Sequence, residues 1–389
     1  MSIVSMKIPS IRILSPQMAF LGEIDSYTSL VFTRSWQGVG EWEFHTPGPV
    51  NRDILKEGNL LLLGNDGHRS GIIRSIEQTN GSSGLETAVK GQTLNGVASQ
   101  RCTIPLEGEA NGGYDTVPAL SSPEDTPEPV PAETILKAYA SRHLVSPLDE
   151  KRRIPLLSLA PDEGRGAKSV WMSRYEELDS VLQSVSQYLD TGWEIFLDLE
   201  GKRMVFDILP GADRSASQTE NSRVLFSVEY ESAENLTYLH ETGGYRNLAY
   251  AGGAGEDENR LVLKVTNEEE EPRGLSRFET FLDCGSLALT ETDTALSLRE
   301  EGLHKLKEYA KTESLTATVV QPGSFSYGGQ WDLGDLVTVV DRAIGVSQDI
   351  RISRITERYE AQSMGVDVTF GTPPDHLERA IRRLKTTVK

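Results

Sequence analysis

Cysteine is nearly missing. Two occur in 389 residues, Cys102 and Cys284. They are too few and too far apart for a disulfide framework, so the chain fits a reducing compartment. Long apolar runs are missing too; none approaches the ~18–20 residues that carry a helix across a bilayer. The opening MSIVSMKIPS has one lysine and no apolar core, and does not read as a signal peptide. Basic residues are outnumbered, 39 Lys and Arg against 58 Asp and Glu, for a formal charge of −19. Such a chain repels nucleic acid and anionic membranes rather than binding them.

Catalytic and metal signatures are equally thin. The six histidines are His45, His68, His143, His240, His304 and His376. None stands three or four residues from another, and none pairs with a cysteine, so the usual metal-ligand spacings are absent. LHETGGY around His240 begins like H-E-x-x-H, but glycines follow and the second histidine is missing. The glycines of YAGGAGEDENR lack the Lys-Ser/Thr and the following helix of a phosphate loop, and read as a hairpin turn. There is no G-x-S-x-G elbow. Among so many acids a pair such as Glu176 and Glu177 carries no information, and a glycosidase, whose two acids need no fixed spacing, stays open. Aromatic residues are 7% of the chain and scattered; Trp36 and Trp42 read as packing residues. No cofactor, no metal and no enzymatic activity are expected.

What is present is β pattern. At 38% hydrophobic and 25% charged, the chain can bury real cores, and its length suggests two to four domains at ~100–200 residues each. From Ile8 to about Ile104, IRILSP, SLVFTRSW, GEWEFHTP, NLLLLGNDG, GIIRSIEQT and LETAVKGQT read as short strands between turn residues. Trp42 and Phe44 alternate with Glu41, Glu43 and His45, as in a half-buried strand. Strands at this spacing imply a sandwich or small barrel.

Residues 105–131, rich in proline, glycine and acids, read as a long loop or linker. PAETILKAYASRHL then reads as a helix with Ile135, Leu136 and Tyr139 on one face. A second helix is expected from Ser173 to Asp190, on the face Leu178, Val181, Leu182, Val185 and Leu189. Ser173 and Glu176 are its expected capping box, and Gly192 its expected stop. WEIFLDLEG and KRMVFDILP form a hairpin, which with the helix makes an α+β module. Further strands follow from VLFSVEYESA to NRLVLKVTN, then the short RFETFLDCG. A helix around Leu296, Leu303, Leu306 and Ala310 comes next, and then LTATVVQPG, DLVTVVDR, DIRISRITERYEAQ and GVDVTFG. The end, PDHLERAIRRLKTTVK, is a basic amphipathic helix.

Two stretches echo one another. KEGNLLLL is followed by SGIIRSIEQ and ETAVKG; WDLGDLVTV is followed by IRISRITER and VDVTFG. Gly58 matches Gly334, Asn59 matches Asp335, Ile73 and Ile76 match Ile352 and Ile355, and Val89 matches Val368. The spacing from Ile76 to Val89 equals that from Ile355 to Val368. Glycine supplies a positive-φ turn and Asn or Asp tolerates it. The same strand unit is therefore expected twice. The expected fold is mainly β with α+β insertions: two related small β-barrel domains plus a helix-and-hairpin middle module. The domains are 1–105 (first barrel), 106–223 (linker and α+β insertion), 224–372 (second barrel, interrupted by a helical insertion at about 273–313) and 373–389 (terminal helix).

This order of features resembles the tail hub proteins of long-tailed phages, the tail-tip proteins of siphophages and relatives of the contractile-tail baseplate hub. The resemblance rests on the opening IRIL…GEI…SLVFTRSWQGVGEWEFHTP, on YRNLAYAGGAGEDENRLVLKV with the following Arg-x-Glu-x-Phe segment and the helix holding Gly302, and on WDLGDLVTV…IRISRITERYEAQSMGVDVTFG. It implies a homotrimer in the virion tail tip, assembled in the host cytoplasm, whose two barrels per chain give a pseudo-sixfold ring. The implied partners are a distal tail ring protein above, spike, fibre or receptor-binding proteins at the tip, and tape-measure protein or DNA in the channel. The acidic excess suits a lumen that must not bind DNA, or equally an outer surface kept soluble. The chain ends soon after the second barrel, which argues against a lytic domain. Arg379, Arg382, Arg383 and Lys385 are candidates for docking an acidic partner. A cell-wall hydrolase at the tail tip and a receptor- or carbohydrate-binding tail protein are the alternatives.

Overall fold

Alternation in the first hundred residues builds seven strands: β1 (Ile11–Leu14), β2 (Phe20–Ile24), β3 (Ser29–Ser35), β4 (Glu41–Pro47), β5 (Leu60–Leu63), β6 (Ser70–Gly81) and β7 (Gly84–Thr93). They come from a computed structural model, which describes residues 8–371 apart from 83, 123–124, 126, 256–259, 286–293, 320–324 and 361–362. Their order is β3-β4-β7-β6-β5-β1-β2. Ile13, Phe32, Trp42, Phe44, Leu61 and Val89 meet in one cluster. Side chains from strands so far apart in the order can meet only if the sheet curls on itself, as a small barrel does. The strand absent from the sequence reading is β2, whose side chains are mostly exposed and so carry no core-facing alternation.

The run of four leucines in β5 has no alternation because both faces are buried. Leu61 and Leu63 point into the barrel. Leu60 and Leu62 point outward, into the core of the middle module.

That module contains β8 (Asp115–Val117), β9 (Val130–Pro131), α1 (Ala132–Ala140), β10 (Leu157–Leu159), β11 (Lys168–Ser169), β12 (Trp171–Ser173), α2 (Leu178–Tyr188), β13 (Gly192–Asp198) and β14 (Arg203–Leu209). The helices pack on the sheet β10-β14-β13, with Leu136, Val181 and Leu182 against Trp193 and Phe206. Three expectations are corrected. The stretch expected to be linker holds β8, fully buried and paired with β12. The expected capping residue Ser173 is a strand residue opposite Asp115 in that ladder, so the helix starts later, at Leu178, after a left-handed turn at Tyr175 (φ +52°). Gly192 opens β13 instead of ending α2, which closes at Tyr188.

The second barrel consists of β15 (Leu225–Ser227), β16 (Ala233–Glu241), β20 (Thr312–Val319), β21 (Leu336–Asp341), β22 (Val346–Glu360) and β23 (Ser363–Gly371). Between β16 and β20 lie β17 (Leu248–Gly252), β18 (Val262–Thr266), β19 (Glu279–Asp283) and α3 (Thr294–Lys307). The barrel strands run β16-β20-β23-β22, with β21 on β22 and β15 on β21. The insertion was expected to be helical and to begin near 273. It is larger: β17 and β18 leave the barrel to form their own sheet, β18-β17-β19, because β17 pairs in parallel with β19. Helix α3 lies close on that sheet at Gly302, where a Cβ would stand 2.8 Å from that of Ala251. The terminal helix, with Arg379, Arg382, Arg383 and Lys385, lies outside the described residues.

Candidate assembly surface

The two echoing turns share their backbone chemistry. Gly58 has φ +86° and Gly334 φ +87°. The Gly58 N–H donates to the Ile73 carbonyl at 3.0 Å, and the Gly334 N–H to that of Ile352 at 2.9 Å. In return Ile73 donates to the Asn59 carbonyl at 2.9 Å, and Ile352 to that of Asp335 at 2.8 Å. Beyond the turns, β6 pairs with β7 as β22 pairs with β23. Ile76 faces Val89 and Ile355 faces Val368, and each ladder has one bulge in the same place, between Ile73 and Ser75 and between Ile352 and Arg354. The side chains after the glycines diverge. Asn59 donates to the Ile54 carbonyl at 2.8 Å. Asp335 instead accepts from the Ala212 N–H at 2.7 Å and from Arg214 at 2.8 Å, tying the segment that leaves the middle module to the second barrel.

The barrels are joined edge to edge. The far half of β22 pairs with β3 from Arg354 opposite Ser35 to Glu360 opposite Ser29. Beneath this seam lies an ionic network centred on the fully buried Glu357. Arg69 of the first barrel makes an ion pair with Glu357 of the second at 3.1 Å, and Arg34 one with Asp332 at 2.8 Å. The Tyr327 hydroxyl donates to Glu357 at 2.7 Å, the Tyr359 hydroxyl also donates to Glu357, and Arg69 lies over the Tyr327 ring. Burial works against the Arg34 charge, yet Tyr327 and Asp332 hold its pKa above the ordinary arginine value. Burial opposes Arg69 likewise, and Glu357 leads the charges that raise its pKa. Burial, then the Glu357 charge, lift the Tyr359 phenol well above its usual range. Removing one member of such a network strands the charge of its partner.

Sequence reasoning missed this seam, since Arg34 and Asp332 stand 298 residues apart. One signal was available. In RISRITERYE the buried phase runs Ile355, Glu357, Tyr359, and a charge in an apolar phase asks for a buried partner.

Trp36, just past β3, sits where both barrels and the middle module meet. Its indole N–H donates to the Leu209 carbonyl at 2.6 Å, its backbone N–H to Ser353 at 2.9 Å, and its carbonyl accepts from Trp193 at 3.1 Å. Arg351 stacks over its ring at 4.6 Å. Gly334 makes room for it: a Cβ there would lie 2.5 Å from the indole nitrogen, whereas one at Gly58 would meet nothing within 4 Å.

Other clusters have structural roles. Asp115 accepts from Arg142 and pairs with His143, each at 2.5 Å. With Asp115 0% and His143 2% exposed, no substrate reaches that pair. Glu133 is held by Arg165 and Lys137; burial disfavours its charge, but those bonds keep its pKa far below the carboxylate range. A cleft of about 480 Å³ opens where α2, α3 and β22 approach. Its aromatic faces are already taken, since His304 stacks on Trp171 at 4.4 Å and packs edge-on to Tyr188 at 4.1 Å. Among the described residues no group of histidine, cysteine and acidic side chains could hold a metal. No helix among them is long and apolar enough to cross a membrane.

A family model described as siphovirus ReqiPepy6 Gp37-like protein matches residues 10–372. The chain belongs to that family. The protein shares its fold with three solved proteins. The 43 kDa tail protein of prophage MuSo2 from Shewanella oneidensis is 13% identical, with a TM-score of 0.53 over 93% of this chain and 97% of that one. The tail protein from Neisseria meningitidis MC58 is 12% identical, TM-score 0.53, over 94% and 96%. Prophage tail protein gp18 from Listeria monocytogenes EGD-e is 10% identical, TM-score 0.52, over 98% and 100%. At these identities the likeness is one of fold. No curated protein matches the chain. The protein is thus a member of the siphovirus Gp37-like family, mainly β in fold.

Proposed function

We propose that three copies of this protein close into a ring at the tail tip. The ring joins the sixfold tail to threefold tip components and surrounds the channel through which tape-measure protein and DNA leave, with no catalysis of its own. The observation that carries this reading is the internal repeat: one chain holds the same strand unit twice, already joined edge to edge. Heterologous interfaces close into a ring when each step repeats the last, and three chains supply six near-equivalent units. The turns at Gly58 and Gly334 act here as geometry, setting the same strand exit in both units. The arginines of the terminal segment, Arg379, Arg382 and Arg383, with Lys385, belong to the same proposal as a docking point for an acidic tip partner.

The test is light-scattering mass at the highest soluble concentration, followed by negative-stain imaging. The expected particle has three times the chain mass and a six-lobed outline. A twofold dimer, or a chain that stays monomeric, overturns the reading. Peptidoglycan clearing in a zymogram would overturn the non-catalytic part and favour a hydrolase.

A further inference from the structure

The seam inside the chain is a template for a seam between chains. In the first barrel, β4 pairs with β7 through Trp42 opposite Gly91; in the second, β20 pairs with β23 through Leu315 opposite Phe370. One strand further out, β3 places Phe32 opposite Trp42, and β16 places Tyr238 opposite Leu315. Phe32 and Tyr238 are therefore equivalent, and β16 is the second barrel's copy of β3. By the matched bulges, Glu357 of β22 is equivalent to Gln78 of β6.

Within the chain, β3 is covered by β22, with Phe32 opposite Glu357 and both fully buried. Their equivalents are uncovered. Among the described residues β16 is the terminal strand of its sheet and pairs only with β20. Among the same described residues the far half of β6, from Ser75 on, pairs only with β7, and no strand lies on the side that β3 fills on β22. Exposure follows: Tyr238 is 38% exposed where Phe32 is 0%. Ser75, Glu77, Thr79 and Asn80 are exposed, and Ile76 and Gln78 are half-buried. An exposed edge and an exposed receiving strand, each matching one half of a pairing the fold already makes, identify a second copy of this chain as the occupant.

We infer that β16 of one chain pairs antiparallel with the far half of β6 of the next chain, in the register of the internal seam. Tyr238 then lies opposite Gln78, Thr237 opposite Thr79, Leu239 opposite Glu77 and His240 opposite Ile76. The left-handed Asn235 (φ +53°), in the β16 bulge between Glu234 and Thr237, falls outside these four pairs. Tyr238 takes the covered place that Phe32 has within the chain. This inference rests on the ring reading for its closure at three chains, but the strand pair and its register come from the internal seam.

Cysteine cross-linking of the full chain separates the two. In a Cys102→Ser background, two double variants are made, Tyr238→Cys with Gln78→Cys and Thr237→Cys with Thr79→Cys. Neighbouring antiparallel pairs alternate between narrow and wide spacing, so one of the two is at disulfide distance. The expected result is that mild oxidation converts most of the chain into a covalent trimer, while Tyr238→Cys with Ile76→Cys, two residues out of register, links less than a tenth as much. Mixing the two single variants should give a covalent dimer, which no link within one chain can produce. A trimeric mass without these cross-links overturns the inference and leaves the ring reading standing. A cross-linked ladder running beyond three chains supports the strand pair and overturns the ring. A protein that stays monomeric and does not cross-link overturns both.

Discussion

The two barrels share a backbone and differ in what surrounds it. The first wears a layer: β5 is leucine throughout because the middle module covers its outer face. The corresponding β21 alternates, with Val337 and Val339 inward, while Thr338 donates to Asp349 and accepts from the Ala216 N–H. The turn pair differs in the same way. Gly58 faces open space, and Gly334 faces an indole. Equivalent positions in a repeat therefore carry unequal energies, and the surroundings set them.

The sharpest way to break the comparison is at the seam. Glu357→Ala leaves the half-buried Arg69 with only Asp66 as a partner and removes the buried acceptor for Tyr327 and Tyr359. It should cost about 3–5 kcal/mol in chemical denaturation. The equivalent Gln78→Ala, on the uncovered strand, should stay within about 0.5 kcal/mol in the monomer. Equal losses at both positions would show that the seam is not what distinguishes them.

The second contrast is in pH, because only the second barrel carries the α3 insertion. Burial pushes the His304 pKa down to about 4 from the usual histidine value near 6.5. Between those values the unfolded chain binds the proton and the folded chain does not, so stability rises with pH across that window and levels off above it. The drop from pH 7 to pH 4 should be on the order of 3 kcal/mol from this group, and His304→Phe should flatten it. A profile unchanged by that substitution would remove His304 as the cause.

The third pair is the glycines. Gly334→Ala combines backbone strain with a collision against Trp36 and should cost roughly 2–4 kcal/mol. Gly58→Ala carries the strain alone, at about 1–2 kcal/mol. Thermal melts of the two variants decide it; Gly58→Ala at least as damaging as Gly334→Ala would mean that Trp36 is not crowded there.

Much of the fold was legible because alternation and turn residues are local signals. The spacing of Ile73, Ile76 and Val89 against Ile352, Ile355 and Val368 reported the repeat, since a shared ladder register fixes distances along the chain. What stayed hidden depended on distant partners. Asp115 lies in a stretch of linker composition, yet it is committed to a strand by β12 and to burial by Arg142 and His143. Ser173 looks like a helix cap by composition, and the same ladder claims it. β17 and β18 read as barrel strands, and only their partner β19 draws them away. The seam lies beyond any window a local pattern can span.

One pair of positions has a consequence for how the halves can change. Trp42 faces Gly91 across the first barrel, and Leu315 faces Phe370 across the second, so the bulk sits on opposite strands of the same ladder. At Gly91 a Cβ would already press within 2.2 Å of the Trp42 ring. A recombination event that copied one strand from one half into the other would set tryptophan against phenylalanine, or leucine against glycine. The first overfills the core and the second leaves a hole. The two halves therefore resist being homogenised by strand-sized exchanges and are free to keep diverging, each under the demands of its own neighbours.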